Sequence, residues 1–387
     1  MIGMSAVIFI PDDTAKTGYP QPLMLQSVMG APLLAWLANA LFDSGVGRFF
    51  LVCHDRYVEA ARACLPAEAE VMTTMDSDPA DLLHVFLSTA EDAEHTITVV
   101  TGPAVYLPQL APQAAGRFPR VYGVSREELM QALDEHFSFA RFLLDSGSPM
   151  NEEQAMYSVA SPAELPEIAG LLQRNRLLAL ARTGVEIYDA SSCYVEPSVR
   201  VAPGARLLPG TMLRGKTVIG EEAVIGPWSV IDDSVIGARA VVNASQVRDS
   251  RVGQDAVVGP YASVRGGCEL GRSVRAGSFV ELKNARLGEN TQVPHLAYLG
   301  DTEAGANCNF GCGVTTANFD RVQKHETVVG EGAFIGCNTA LIAPLQVGSG
   351  AYIGAGSTIT EDVPAQALGI ARARQSNKKE WAAKHKK

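Results

Sequence analysis

Three short continuous apolar runs, AVIFI (6–10), RFFLVC (48–53) and TITVV (97–101), punctuate the first third of the chain. Between them, segments such as PLLAWLANALFDSG carry apolar residues at helical spacing and close on Gly45. Strand-like runs alternating with amphipathic helices predict a small α/β domain with a mainly parallel, Rossmann-like sheet over residues 1–150. Two further helices are predicted, over 126 to about 147 and over 162 to 184. The second has a capping-box start in Ser161-Pro-Ala-Glu164 and a stop at Gly184, and reads as a linker spanning 151–190.

From Val195 the pattern changes. Aliphatic residues stand at 195, 201, 207, 213, 219, 225 and 231, six apart. After a few five-residue steps the register resumes at Val252, Val258, Val264, Leu270 and Ala276, then at Leu287, Val293, Leu299 and, one residue early, Ala304. It breaks over 317–328 and returns at Val329, Ile335, Leu341, Val347, Ile353 and Ile359. A period of six fits neither a helix nor a flat strand. It fits a parallel β-helix, in which each hexad forms one side of a prism and three sides, about 18 residues, make a coil. The β-helix is placed at 191–370, with a tail at 371–387. Coils of a solenoid contact only their neighbours, so chemistry must come from outward residues and from loops that break the repeat. The main such loop is ANFDRVQKHET.

Charge and composition narrow the choices. A net charge of -10 argues against nucleic-acid binding, but the tail ARARQSNKKEWAAKHKK is basic. It is either a solvated end or, through Arg372 and Arg374, a clamp for phosphates. No run has membrane-spanning length and the N-terminus lacks a secretory signal pattern, so a cytoplasmic protein without a membrane partner is expected. The seven cysteines, at 53, 64, 193, 268, 308, 312 and 337, form no CxxC pair and are expected to be reduced.

His295 stands two places after the inward Val293 and should face outward. Near it in the repeat are Arg265, Glu281, Lys283, Tyr298 and Asn309, and the breaking loop adds Asn318, Asp320 and Lys324. Cations around an imidazole suit a sugar phosphate, and a neutral histidine can accept a proton near pH 7. Each charge also has a plain reading as a solvated side chain or turn residue. A zinc hydratase is disfavoured, because the repeat region holds only His295 and His325. Cys312 and Cys337 have no activating base placed beside them by the sequence.

The run VELKNARLGENTQVPHLAYLGDTEAGANCNFGCGVTTANFD and its continuation VVGEGAFIGCNTALIAPLQVGSGAYIGAGSTIT resemble the acetyltransferase domain of the GlmU family, over roughly residues 185 to 381. That family comprises bifunctional bacterial enzymes that make UDP-N-acetylglucosamine. The resemblance implies a left-handed parallel β-helix, a homotrimer with active sites between subunits, and acetyl transfer from acetyl-CoA to glucosamine 1-phosphate without a metal. The product would feed UDP-N-acetylglucosamine and peptidoglycan precursor synthesis. It implies that His295 is the general base and that Arg265, Lys283, Tyr298 and Asn309 hold the sugar phosphate, supported by Glu281 and Lys324. Cys312, Asn318, Phe319, Cys337, Ala355 and Arg372 would line the acetyl-CoA site. Departures are Pro294 for a small residue, Phe319 for Tyr, Cys337 for Ser, and VRGG for LRPG.

The N-terminal half departs further from that family. AVIFI is followed by PDDTAKTGYPQPL in place of a Gly-rich AAGxGTRM loop, and Leu23 stands where a lysine is expected. TTMDSDPADLLHVFLSTA replaces a QxGTxxA motif, Pro103 and Ala160 stand where the family's magnesium ligands would be, and the domain is shorter by about a third. This half is expected to be a degenerate nucleotidyltransferase-like domain without uridyltransferase activity. Two alternatives stay open: an acetyltransferase for another amino sugar, and a non-catalytic sensor that binds nucleotide-sugar or CoA.

Overall fold

A computed structural model describes residues 4–74, 79–90, 95–110, 120–135, 139–150 and 155–385. It divides into two compact units, Met1–Thr183 with Tyr194–Val199, and Gly184–Cys193 with Arg200–Lys387. Among the described residues no helix is long and apolar enough to cross a membrane.

The first unit is built on a six-stranded sheet in the order Glu70–Thr74, Arg48–Cys53, Ser5–Ile10, Thr96–Val100, Val121–Ser125, Ser148–Met150. The first four strands are parallel and the last two join antiparallel. The continuous apolar runs are explained by burial on both faces. Ala6, Ile8 and Ile10 enter a core with the helix Leu33–Phe42, while Val7 enters the opposite core with Phe50, Phe86 and Leu129. The chain crosses from Ser5–Ile10 to Arg48–Cys53 on one side and returns to Thr96–Val100 on the other. The ends of the first and last of these strands therefore flank a switch point, the usual ligand crevice of an open α/β sheet.

Two helix predictions are corrected in detail. The segment over 126–147 contains two helices, Arg126–Asp134 and Phe139–Ser146, and the first ends on Asp134 and Glu135, acids that the helix dipole disfavours at a C-terminus. The helix Leu165–Arg182 follows a separate turn at Pro162–Glu164; Ser161 makes no side-chain cap, and Glu164 accepts a hydrogen bond from the Ala160 N–H (3.2 Å). Read from sequence as a linker, this helix buries Ile168 and Leu172 in the first unit's core. Of the segment compared with QxGTxxA, residues 75–78 lie outside the described residues, as do 151–154 of the predicted linker.

The second unit is the β-helix that the six-residue period predicts, a single sheet of 26 parallel strands curled on itself, each strand pairing with the one three sides further on. Every aliphatic position of the register is buried except Val201 in the first coil. Each inward side chain contributes about 1.5–3 kcal/mol, and the outer residues are left free for other work.

The five-residue steps have a structural cause. At Asp232-Asp233-Ser234 and Arg248-Asp249-Ser250 the corner is shortened to a left-handed Asp (φ 45° in both), followed by a buried serine. Ser234 Oγ accepts from Ser250 N (3.1 Å), and Ser250 Oγ from Cys268 N (3.2 Å), so the hydroxyls carry the coil-to-coil bonding past the corner. The same tight corner recurs at Lys283-Asn284-Ala285 and Gly300-Asp301-Thr302, with Asn284 at φ 48° and Asp301 at φ 48°. Aspartate and asparagine tolerate this conformation better than other side chains.

Candidate active site

Parallel register decides which outward residues meet. The pairs Arg265↔Lys283↔Gly300 and Glu281↔Tyr298↔Thr315 stack on one face of the β-helix. Arg265, Glu281, Lys283 and Tyr298 are half-buried there, and Arg265 forms an ion pair with Glu281. Gly300 is pinned from inside by buried Thr316, whose Oγ1 accepts its N–H at 2.8 Å. A Cβ on Gly300 would stand 2.8 Å from Asn318 Nδ2 and closer still to the Tyr298 hydroxyl, so only glycine lets both polar groups lie over that backbone.

The breaking loop returns to this face. Asp320 accepts hydrogen bonds from Val322 N and Gln323 N, both at 2.8 Å, and contacts His325 Nε2 at 2.7 Å. These bonds hold its carboxyl well below the usual carboxylate range. His325 N donates to Asn318 O (2.8 Å), and Phe319 and Lys324 form an antiparallel bridge. So clasped, the loop brings the Lys324 ammonium to Lys283. Lys283 is pushed below the ordinary lysine pKa first by Lys324, then by slight burial and Arg265, with Asp301 opposing. Lys283 thus stands among two further cations, Arg265 paired with Glu281 and Lys324, while the nearby carboxylate of Asp301 is already engaged by Asn284 Nδ2 (2.7 Å) and by the amide of Asn318. The arrangement has the charge and the donors to hold a phosphate.

His295 lies one corner away and is exposed, its backbone paired with Ser278. The offsets of 17, 25 and 18 residues between neighbouring coils put Cys312, Cys337 and Ala355 at the equivalent position of the next three. The bonds Asn338 N to Cys312 O (2.7 Å) and Gly356 N to Cys337 O (2.8 Å) tie this edge together. At about 4.8 Å per coil, Ala355 is roughly 14 Å from His295. Arg372 closes the edge, its Cδ 3.7 Å from where a Cβ of Gly356 would be.

Of the sequence-predicted residues, Arg265, Glu281, Lys283, Tyr298, Asn318 and Lys324 meet on one face, and His295, Cys312, Cys337, Ala355 and Arg372 share one edge. Phe319 is exposed at the loop's start. Asn309 is not with the others: it pairs with Gln292 and Phe334 on the adjacent face. Sequence reasoning missed Gly300 and Asp301, although the tight corner they share with Lys283-Asn284 was visible as two five-residue steps.

The first unit's crevice differs. Leu23 is buried in the core, and its N–H donates to Asp13 Oδ1 at 2.9 Å. Positions 103 and 160 do come together, since Val159 N donates to Pro103 O at 2.8 Å beside paired strands Ala104–Tyr106 and Met156–Ser158. Proline and alanine nonetheless offer no side-chain donor, so these residues do not fit a magnesium ion.

Residues 326–361 match the bacterial transferase hexapeptide family model (six repeats). The chain is 42% identical over 240 residues, 62% of its length and 53% of the relative's, to the bifunctional protein GlmU of Clostridium perfringens (strain SM101 / Type A). It is 45% identical over 221 residues, 57% of its length and 48% of the relative's, to that of Brevibacillus brevis. The chain spans about half the length of the curated relatives it matches. The solved inositol-1-phosphate CTP transferase from T. maritima aligns with 46% of this chain and 97% of its own at 12% identity and TM-score 0.34, a likeness too slight to build on.

Proposed function

We propose that the chain transfers the acetyl group of acetyl-CoA to the amine of glucosamine 1-phosphate in the cytoplasm. The observation that carries this reading is the meeting of Arg265, Lys283 and Lys324 on one face, one corner from the edge that runs from His295 to Arg372. The cationic face takes the sugar phosphate, with Tyr298 and Asn318 beside it. The edge takes the acetyl-CoA arm, with Phe319 near its upper end and Arg372 at the phosphate end.

His295 accepts the proton that the amine loses as its nitrogen attacks the thioester carbonyl carbon. The C–N bond forms, the C–S bond breaks as the tetrahedral intermediate collapses, and the departing CoA sulfur takes the proton from His295. Holding both substrates on a rigid coil stack supplies the orientation an amine and a thioester need. Asn309 lies on the neighbouring face, which favours completion of the site by a second copy of the chain and agrees with a homotrimer.

The same proposal assigns no uridylyl transfer to the first unit. Buried Leu23 removes the phosphate-binding cation, and Pro103 and Ala160 remove the metal ligands on which charge neutralisation would depend.

Release of CoA thiol with glucosamine 1-phosphate as acceptor tests the reading. The expected result is sugar-dependent release that falls about 10²–10⁴-fold in His295→Ala. An unchanged rate in that variant overturns the mechanism. Transfer only to another amino sugar overturns the acceptor, and a UDP-sugar formed on adding UTP and Mg²⁺ overturns the loss of uridylyl transfer.

A further inference from the structure

Five of the seven cysteines are buried, and for Cys53, Cys64, Cys193, Cys268 and Cys308 burial pushes the thiol pKa up, to about 12 for Cys64. Such thiols are poor nucleophiles. The two that reach solvent, Cys312 and Cys337, are also neighbours, in equivalent positions of consecutive coils. Adjacent parallel strands set their backbones about 4.8 Å apart, within the span of Cα separations a disulfide bridges. Cys312 is half-buried between Gly311 and Gly313, which add no side chains of their own beside it. Cys337 Sγ leans back across the coil, only 2.9 Å from where a Cβ of Gly311 would stand. Both lie on the edge below His295.

We propose that Cys312 and Cys337 form a dithiol site that reacts with low-molecular-weight disulfides and closes to a disulfide across the two coils, on the edge that acetyl-CoA uses. The placement on that edge rests on the proposed function; the thiol chemistry does not. The more exposed Cys337 attacks first as its thiolate. A bond forms between its sulfur and one sulfur of the reagent, the reagent's own S–S bond breaks, and one small thiol leaves with the proton. The Cys312 thiolate then attacks the Cys337 sulfur, the bond between the coils forms, and the second small thiol leaves. Two protein thiols are oxidised and one disulfide is reduced to two thiols. The new bridge covers the wall immediately below His295 and blocks acetyl-CoA.

The test uses the full chain, free of reductant, with oxidised glutathione. Trypsin cuts after Arg321 and Lys324, between the two cysteines. The expected product is a disulfide-linked pair of peptides carrying Cys312 and Cys337, absent from Cys337→Ser and replaced by a glutathione adduct on Cys337 in Cys312→Ser. Acetyl-CoA at about ten times its Kd should slow the linkage roughly tenfold. Acetyl transfer should fall in step with linkage and return with dithiothreitol. Adducts spread over buried cysteines at equal rate, unlinked adducts on both residues, or no reaction each overturn the dithiol site. Linkage that acetyl-CoA does not slow overturns the shared edge. Linkage in a protein that, when reduced, shows no acetyl transfer leaves the dithiol standing and removes the proposed function instead.

Discussion

The two units keep different parts of what a phosphate site needs. In the first, the frame is intact: a switch point in an α/β sheet, and positions 103 and 160 held side by side by the bond from Val159 N to Pro103 O. The side chains on that frame are apolar, and position 23 has joined the core. In the second, the frame and the chemistry coincide, because the tight corners that shape the coils also carry Lys283, Gly300 and Asp301. A backbone frame is held by hydrogen bonds and packing that any compatible residue satisfies, whereas a charge cluster survives only where something offsets its repulsion. The cluster is therefore the more informative of the two about use.

The comparison can be broken first at position 23. Leu23→Lys would restore the charge that the resemblance calls for, at a site that is 1% exposed. A buried, unpaired ammonium costs about 3–5 kcal/mol or is forced neutral. Urea unfolding of the full chain should show the first unit's transition falling by that order. Unchanged stability, together with new UTP binding, would mean that position 23 can still face a ligand.

The fold was legible because one apolar residue in six survives every substitution on the outside of a prism, so the period can be read without knowing where the corners fall. The sheet of the first unit was legible for a similar reason, since strands buried on both faces read as unbroken apolar runs. The helix over 126–147 was over-read because its apolar spacing continues past Asp134, where the first helix ends, into the second helix Phe139–Ser146. The site was harder. Lys283 and Gly300 align only if the sides between them are counted as six and five residues, and Asp301 becomes a partner only once that corner is placed. The column His295, Cys312, Cys337 and Ala355 depends on offsets of 17, 25 and 18, the middle one swollen by the breaking loop. Spacing alone therefore gave His295 an outward direction and polar residues within a few coils, without deciding which of them share its edge or face. Asn309 fell on a different face for the same reason: eleven residues from Tyr298 is two sides of the prism, not one coil.

A second way to sharpen the contrast is Lys283→Ala. If the cationic face holds the sugar phosphate, KM for glucosamine 1-phosphate should rise roughly tenfold or more with a smaller change in kcat, since a charge-assisted hydrogen bond to bound substrate is lost in ground and transition state alike. Steady-state kinetics at two ionic strengths check this, because screening should weaken the wild type more than the variant. Equal loss in kcat and in kcat/KM would move Lys283 from binding to the chemical step.

The smallest expected effect separates a binding site from a solvated charge pair. Lys283 loses its proton more readily in the folded chain than in the unfolded one, first because the Lys324 ammonium faces it. Between the folded pKa and the ordinary lysine value the unfolded chain therefore holds more protons, and stability rises with pH across that window; below it the repulsion is fully present. Lys324→Gln removes the main cause. At neutral pH and without phosphate, Tm should rise by about a degree, in the range expected of a surface substitution, and the alkaline rise should flatten. Inorganic phosphate should reverse the ranking. It neutralises the pair in the wild type and stabilises it through binding, whereas the variant has lost one of the cations that bind it and gains less. Calorimetry over a phosphate series should therefore show the two Tm curves crossing. If Lys324→Gln lowers Tm without phosphate, or if both curves rise in parallel, the lysines are solvated charges and the face carries no anion site.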